Sequence, residues 1–504
     1  MPKQWLMKID AKKSFSSLVF SLRLLSLIAT VFNRVTLRGF QLPIHGKHVK
    51  EGEEMSMDQP IAINLFKGHP SFRLLPNKLV SEAAAELLGS DSRDYDDDTE
   101  NRHPLTYGSD EGALWVREAI TRFNNDETFR LAPDDRARSK PEFLNLNSGA
   151  SYGMLSILLQ TTLAHTGVTR QAFVVTPTYF LINDCFADAG FSSKVTAIDE
   201  DSDGMINLGL LEQKLKYFEK GTTGDDDEEK LKVIVNPERS IPKKVYKYVI
   251  YCIPTYSNPS GASYSTEMKM KLIEIARKYD MLIIADDVYD MLDFTPPFSS
   301  LPHPQKRFVH LDRETLDDPD SYGNTISNAT FSKLIAPGLR FGYHETATSK
   351  LAQQLSKGGA NVSGGTPSQL TSMIVGTMLI NGSAAKVLRE LRSTYAERAA
   401  VLTDAVRLYM PRGTKFDKPA GGYFSWLTLP QGYNAKEIGR ILQEKYGVLV
   451  ANGSNFEVIG DVRNWGESSM RLSVSFLEPD DIENAIKYMG QACSEYAKSK
   501  SFEF

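Results

Sequence analysis

The 504-residue sequence predicts an α/β protein, with a large domain built on a mostly parallel sheet flanked by helices and a smaller α+β domain after it. Three observations carry this. From about Ile61, short apolar runs alternate with longer segments of helical period. The strongest strand candidates are apolar throughout, the pattern of strands covered on both faces. After Lys350 the pattern turns mostly helical and then closes on three more strand-like runs.

Residues 1–57 differ from the rest. The first 50 carry nine Lys or Arg against the single acid Asp10, several serines, and an apolar stretch from Phe15 to Phe32 broken by Arg23. This composition resembles a mitochondrial presequence. A short signal anchor, and a start placed upstream of Met55 or Met57, are the competing readings. Arg23 opposes stable membrane insertion, so the expected location is cytoplasmic or mitochondrial. The body of the chain then divides into 58–105, the N-terminal part of the small domain, 106–345, the large domain, and 346–504, the rest of the small α+β domain.

Helical period marks Pro76 to Leu88, Gly112 to Asn124, Thr266 to Tyr279 and Gly382 to Tyr409. Strands are expected at Ala172 to Thr176, Val249 to Ile253 and Met281 to Ala285, and later at Gly421 to Leu429, Gly447 to Ala451 and Ser469 to Phe476. Lys220 to Lys230, with its GDDDEEK run, and Asp312 to Asn324, rich in Asp, Pro and Gly, read as solvated surface insertions.

A hydrophobic share of 41%, a charged share of 24% and a net charge of -5, with no basic block, exclude a fibre and argue against a nucleic-acid partner. Cys185, Cys252 and Cys493 are too dispersed for a disulfide framework, and no His or Cys cluster has metal-ligand spacing.

The chemistry gathers at strand ends, where parallel sheets bind ligands. NATFSKLIAPGLRFGY, residues 328–343, sets Lys333 after small hydroxyl residues and seven positions before Arg340. Lys333 suits covalent attachment to an aldehyde cofactor, with Thr330, Ser332 and Arg340 holding its phosphate. A lone Ser-Lys pair is usually a solvated surface feature, so its weight comes from the neighbouring motifs. In IIADDVY, residues 283–289, Asp286 directly follows an apolar run. A carboxylate there is costly without a partner, and a protonated pyridine nitrogen is a suitable one, although Asp is also a common helix cap. Tyr289 lies three residues on, placed to donate to a ring oxygen. PTYSNPSG, residues 254–261, makes a rigid turn with a candidate cis X-Pro bond and offers Asn258 to the same oxygen, unless it is an ordinary turn. In NLNSGASYGML, Gly149, Ala150 and Ser151 open a helix whose free N–H groups attract phosphate. Tyr179, in TPTYF, can stack on a pyridine ring. Either of these last two segments is equally readable as a cap or a core aromatic.

With these motifs in order, the sequence resembles the class I/II aminotransferases of pyridoxal-phosphate fold type I over roughly residues 60–490. The resemblance implies a seven-stranded, mostly parallel sheet, pyridoxal 5'-phosphate on Lys333, and catalytic roles for Lys333, Asp286 and Tyr179. It implies that Tyr107 reaches the phosphate of a neighbouring subunit in a homodimer with shared active sites. It also implies that Arg471, in MRLSVSF, grips the substrate α-carboxylate together with Asn258 and Gly68; without the family, Arg471 reads as an outward residue on an edge strand. INLFKGHPSFRLLP and GGYFSWLTLP look most like the branch acting on 2-aminoadipate, aromatic amino acids or kynurenine, with 2-oxoglutarate the usual acceptor. Gly68-His69-Pro70 departs from the commoner start of that branch at His69. The same cofactor residues also serve lyases and cyclopropane-forming synthases, and a non-catalytic regulator can keep the fold. Retention of Lys333, Asp286, Arg340 and Arg471 together argues against the regulator.

Overall fold

The computed structural model describes residues 63–89, 98–201, 203–220, 233–235 and 242–501. The basic extension 1–57 and the acid run after Lys220 lie outside the described residues.

A seven-stranded sheet forms the centre. Its strands, in chain order, are β1 (Leu144–Asn147), β2 (Gln171–Thr176), β3 (Val195–Asp199), β4 (Tyr248–Cys252), β5 (Met281–Ala285), β6 (Thr325–Thr330) and β7 (Gly342–Thr346), arranged 1-7-6-5-4-2-3. All neighbours run parallel except β7, which is antiparallel to both β6 and β1. The apolar runs fit this placement because alternate residues enter opposite cores. Val249, Tyr251, Leu282 and Ile284 join one buried cluster, whereas Tyr248, Ile250, Met281 and Ile283 join the other. Each fully buried Ile or Leu contributes roughly 1.5–3 kcal/mol, which fixes the register and so the positions of the strand ends.

The flanking helices begin and end where local chemistry directs. Thr266–Tyr279 starts at Ser265, whose hydroxyl accepts from the Met268 N–H at 3.2 Å, and stops at Asp280 in left-handed backbone, φ 54°. Ala435–Tyr446 starts at Asn434, which accepts from Glu437 N, and ends at Gly447 with φ 64°. The helix expected over Gly112 to Asn124 is α-helical from Leu114 to Arg122 and then widens into a π-turn over Phe123–Thr128.

A second sheet has four strands: β8 (Lys415–Phe416), β9 (Phe424–Thr428), β10 (Ala451–Asn452) and β11 (Ser469–Ser473), in the order 8-9-11-10. The long helices Ser383–Tyr409 and Pro479–Lys500 belong to the same part of the chain. Just before β10, Val448–Leu449 pairs in parallel with Ile63–Asn64, stitching the start of the described chain to its last third. The run expected as one strand from Gly447 to Ala451 is thus two short ones.

Two expectations are corrected. Asp312 does not open a solvated insertion: it lies in the helix Phe308–Thr315 at 0% exposure, accepting from Arg277 at 2.6 Å, Thr325 Oγ1 at 2.9 Å and Asn324 N at 3.0 Å. An acid-, Pro- and Gly-rich composition reads as solvated, but three donors to one carboxylate allow it to be buried. Arg471 is not an outward residue on an edge strand either. β11 is an inner strand, paired on both sides, and Arg471 is 3% exposed. The thiols of Cys185, Cys252 and Cys493 are free. Among the described residues no helix is long and apolar enough to cross a membrane.

Candidate active site

The carboxyl ends of β1, β2, β4, β5 and β6 meet at one edge of the central sheet, and antiparallel β7 starts there. A cavity of ≈ 410 Å³ opens at that edge. Its walls include Ala150 and Ser151 beyond β1, Tyr179 beyond β2, Asn258 beyond β4, Asp286 and Tyr289 beyond β5, Thr330 at the end of β6, and Ser332, Lys333 and Arg340 in the β6–β7 loop. Arg471 from β11 and Gly68 from the N-terminal segment complete it. Of the sequence candidates not on its wall, Gly149 lies just behind it, next to Arg340 and Thr330, whereas Tyr107 is 77% exposed.

Asp286 is 6% exposed, with Tyr251 Oη donating to it at 2.8 Å and Asn328 Nδ2 at 3.0 Å. Both donors are neutral. Burial raises its pKa to about 6, while the two hydrogen bonds and the Lys333 charge oppose the shift. It is therefore a carboxylate at neutral pH that lacks a hydrogen-bonded cation. Neither donor is evident from motif spacing. Tyr251 lies within β4 and Asn328 within β6, and only strand register brings them to Asp286.

Lys333 donates through Nζ to the Gly68 carbonyl at 3.2 Å and lies 5.3 Å from the centre of the Tyr423 ring. Burial lowers its pKa to about 8; Asp286 opposes the shift, and Arg471 and Arg340 add to it. An amine tuned this way is unprotonated far more often near neutrality than an ordinary lysine, which favours its use as a nucleophile and base.

At the other end, Gly149 takes φ 94° as it turns from β1 into the helix Ala150–Thr161. A Cβ built there would approach Arg340 Nη2 to 3.0 Å, so the missing side chain leaves a cradle between the helix start and the guanidinium. Arg340 itself has φ 49°, is exposed, and reaches only carbonyls, those of Pro337 and Ser148, at 3.1 and 3.3 Å. Thr330 Oγ1 and Ser332 Oγ meet at 3.0 Å beside it. Helix N–H groups, hydroxyls and an arginine make a phosphate site.

Arg471 donates to Asn258 Oδ1 at 3.0 Å and to the Phe66 carbonyl at 2.7 Å, and its buried Nε has no partner. Burial lowers its pKa to about 10. Phe424 lies 3.9 Å from the guanidinium carbon, Phe456 5.0 Å and Phe66 5.6 Å, measured to the ring centres. A buried arginine without a carboxylate, boxed by aromatic rings, is arranged to receive one. Asn258, whose oxygen is taken by Arg471, turns its amide toward Tyr289, and the Asn258–Pro259 bond is cis. Burial raises the Tyr289 pKa and lifts that of Tyr179 to about 12, keeping both hydroxyls protonated donors.

The sequence matches the family described as Aminotransferase class I and II over residues 65–489. The chain belongs to the class I and II aminotransferases. It is 59% identical over 436 residues to the protein named Uncharacterized protein YER152C of Saccharomyces cerevisiae, covering 86% of this chain and 97% of that one. Against Aromatic-amino-acid aminotransferase 1 of Thermococcus litoralis the identity is 26%, over 86% of this chain and 89% of that one. The fold is similar to that of the crystal structure of a multiple substrate aminotransferase from Thermococcus profundus, at TM-score 0.68, 23% identity and 88% and 93% coverage. It is also similar to LysN, the α-aminoadipate aminotransferase from Thermus thermophilus, at TM-score 0.65, 21% identity and 87% and 94% coverage.

As a class I/II aminotransferase this chain is a pyridoxal-phosphate-dependent transaminase with the α/β architecture of fold type I, and its residues fit the cofactor. The Gly149–Arg340 cradle has the space and donors that suit a phosphate, Asp286 lacks a hydrogen-bonded cation such as a protonated pyridine ring would provide, and Lys333 offers an amine in the same cavity. Phe66, Phe180, Leu181 and Phe424, which give the cavity its apolar walls, carry no chemistry of their own and escape motif reading.

Proposed function

We propose that this aminotransferase takes its amino group from an L-amino acid of aromatic, kynurenine or 2-aminoadipate type and delivers it to a 2-oxo acid such as 2-oxoglutarate. The aromatic enclosure around Arg471 carries the reading. Phe66 and Phe424 line the cavity beside the guanidinium and Phe180 lines it next to Phe66, so a substrate held there by its carboxylate would present its side chain to rings. A planar aromatic group gains most from such walls.

The chain's own groups supply the remaining steps. Arg471 and Asn258 fix the substrate carboxylate and so choose which bond at the α-carbon faces the ring. Lys333 Nζ, its basicity lowered by burial, would take the proton from the α-carbon and hand it to the cofactor's aldehyde carbon on the far side of the nitrogen. Bound pyridoxal phosphate supplies an aldehyde for the amine and an electron-withdrawing ring, and Asp286 keeps the ring nitrogen protonated. Tyr289 and Asn258 would hold the ring oxygen, and Tyr179, on the cavity wall, would cover the ring. Tyr107, exposed and outside the cavity of its own chain, supports a homodimer in which it reaches the partner's phosphate site.

The test is to offer the cofactor-saturated enzyme phenylalanine, kynurenine, 2-aminoadipate and glutamate singly, with 2-oxoglutarate or phenylpyruvate as acceptor, and to identify products by mass spectrometry. Formation of the matching oxo acid from phenylalanine or kynurenine is expected. Turnover confined to small aliphatic donors would overturn the assignment.

A further inference from the structure

Four Lys or Arg side chains line the cavity, Lys67, Lys333, Arg340 and Arg471, with His69 beside them, against the single carboxylate of Asp286. Three have assigned partners: the cofactor aldehyde for Lys333, its phosphate for Arg340 and the substrate α-carboxylate for Arg471. Lys67 is left over. Among the described residues no carboxylate pairs with it, and its ammonium rests 4.1 Å from the centre of the Phe476 ring.

The backbone around Lys67 is held on both sides by the site itself. The carbonyl of Phe66, just before it, accepts from Arg471 at 2.7 Å, and the carbonyl of Gly68, just after it, accepts from Lys333 at 3.2 Å. Residue 67 is thus pinned between the group that holds the substrate carboxylate and the group that works on the α-carbon. Its flexible side chain starts from a fixed point at the substrate end of the cavity. A cation on an aromatic face is held more weakly than a cation on a carboxylate, so an acidic substrate side chain can draw it off the ring.

We propose that Lys67 is a movable specificity residue that binds the distal carboxylate of a dicarboxylic substrate and returns to Phe476 when the substrate side chain is aromatic. This rests on the functional reading above and deepens it. A transaminase that takes an aromatic donor and a dicarboxylic acceptor must receive two side chains of opposite character in one cavity. Rings alone reject the acid, because a carboxylate buried among them has no partner, while a permanently placed cation would burden the aromatic substrate. A lysine with a ring to rest on serves both.

The test uses two unreactive probes on the cofactor-loaded enzyme: glutarate, which carries a distal carboxylate, and 3-phenylpropionate, which carries a ring. Dissociation constants are measured by titration calorimetry for the wild type, Lys67→Met and Lys67→Arg. Lys67→Met is expected to weaken glutarate about tenfold or more, the effect of losing one charged hydrogen bond, and to leave 3-phenylpropionate within about twofold. Lys67→Arg should keep most of the glutarate affinity. Unchanged glutarate binding in Lys67→Met, or equal weakening of both probes, would overturn the proposal. If the wild type shows Lys67-dependent glutarate binding yet transaminates neither phenylalanine nor 2-oxoglutarate, the functional reading fails and the Lys67 assignment stands.

Discussion

Asp286 and Asp287 are adjacent, both are buried, and burial raises the pKa of each, yet they face opposite sides of the sheet. Asp286 points into the cavity, where Tyr251 and Asn328 donate and no cation is hydrogen-bonded to it. Asp287 points behind the sheet, where Ser327 donates at 2.6 Å and Arg307 stands 3.9 Å away. Arg307 also binds Asp290 at 2.7 Å and lies 3.7 Å from Glu345, which takes Arg313 at 3.0 Å. The arginines divide in the same way, since Arg471 has only neutral partners whereas Arg307 is surrounded by acids. Charges completed within the chain hold the fold, and charges left incomplete await a ligand. Burial alone does not tell the two kinds apart; the partner does.

The largest test of this division is Lys333→Ala, which should cut oxo-acid release by on the order of 10³-fold or more, read as initial rates. Its melting temperature should barely move. Next come the arginines. Arg471→Ala should weaken carboxylate substrates by about 2–5 kcal/mol, seen in kcat/KM, with little change in melting. Arg307→Ala leaves Asp290 and Glu345 buried without their cation and should lower stability by about 3–5 kcal/mol in denaturant titration, with the folded fraction still active. The reverse pattern would dissolve the distinction.

Asp286→Asn should lower kcat by on the order of 10²-fold and, unusually for a buried site, stabilise the cofactor-free protein. The sign follows from the raised pKa. Between 3.8 and about 6 the folded state holds more protons at Asp286 than the unfolded state, so stability from this group is full below that window and is lost as pH rises through it. Removing the carboxyl should return about 1–3 kcal/mol at pH 7, measured by thermal melts of apo-protein against pH. Asp287→Asn should leave turnover nearly intact. A modest effect on cofactor binding is expected of Gly149→Ala. Backbone at φ 94° and a Cβ 3.0 Å from Arg340 should together weaken cofactor binding by about 1–2 kcal/mol, followed by absorbance titration.

Much of the site was legible because cofactor chemistry restricts residue types at strand ends. Lys333, Asp286, Asn258 and Arg340 could be placed from short motifs, since an apolar run followed by Asp, or Lys followed by Pro-Gly-x-Arg, is physically unusual. Tyr251 and Asn328 were not legible. Each lies inside a buried strand, where a polar residue reads as an exception until register shows what it touches. Arg471 needed the family, because its partners Asn258 and Phe66 are 213 and 405 residues away and no periodicity joins them. Asp312 was misread for the same reason, its burial resting on Arg277 and Thr325 from other elements. Strand and helix positions could be read from pattern, but strand ends shifted by up to three residues, as at Phe424–Thr428 and Ser469–Ser473, where hydrogen bonding rather than hydropathy ended the element.

The reversal of direction between β6 and β7 has its own consequence for how this sequence can vary. Lys333 and Arg340 lie on one hairpin, closed by Phe331 N–H to the Phe341 carbonyl at 3.0 Å and by the stacked rings of those two residues, 5.3 Å apart. Thr330 stands opposite Gly342 in the ladder. Insertion or loss of one residue within the loop would force it to bulge or move β7 by one register step, turning its inward side chains outward. Substitutions disturb that ladder less than changes in length do, so under the proposed assignment the seven-residue interval from Lys333 to Arg340 would act as a ruler between the amine and the phosphate cradle.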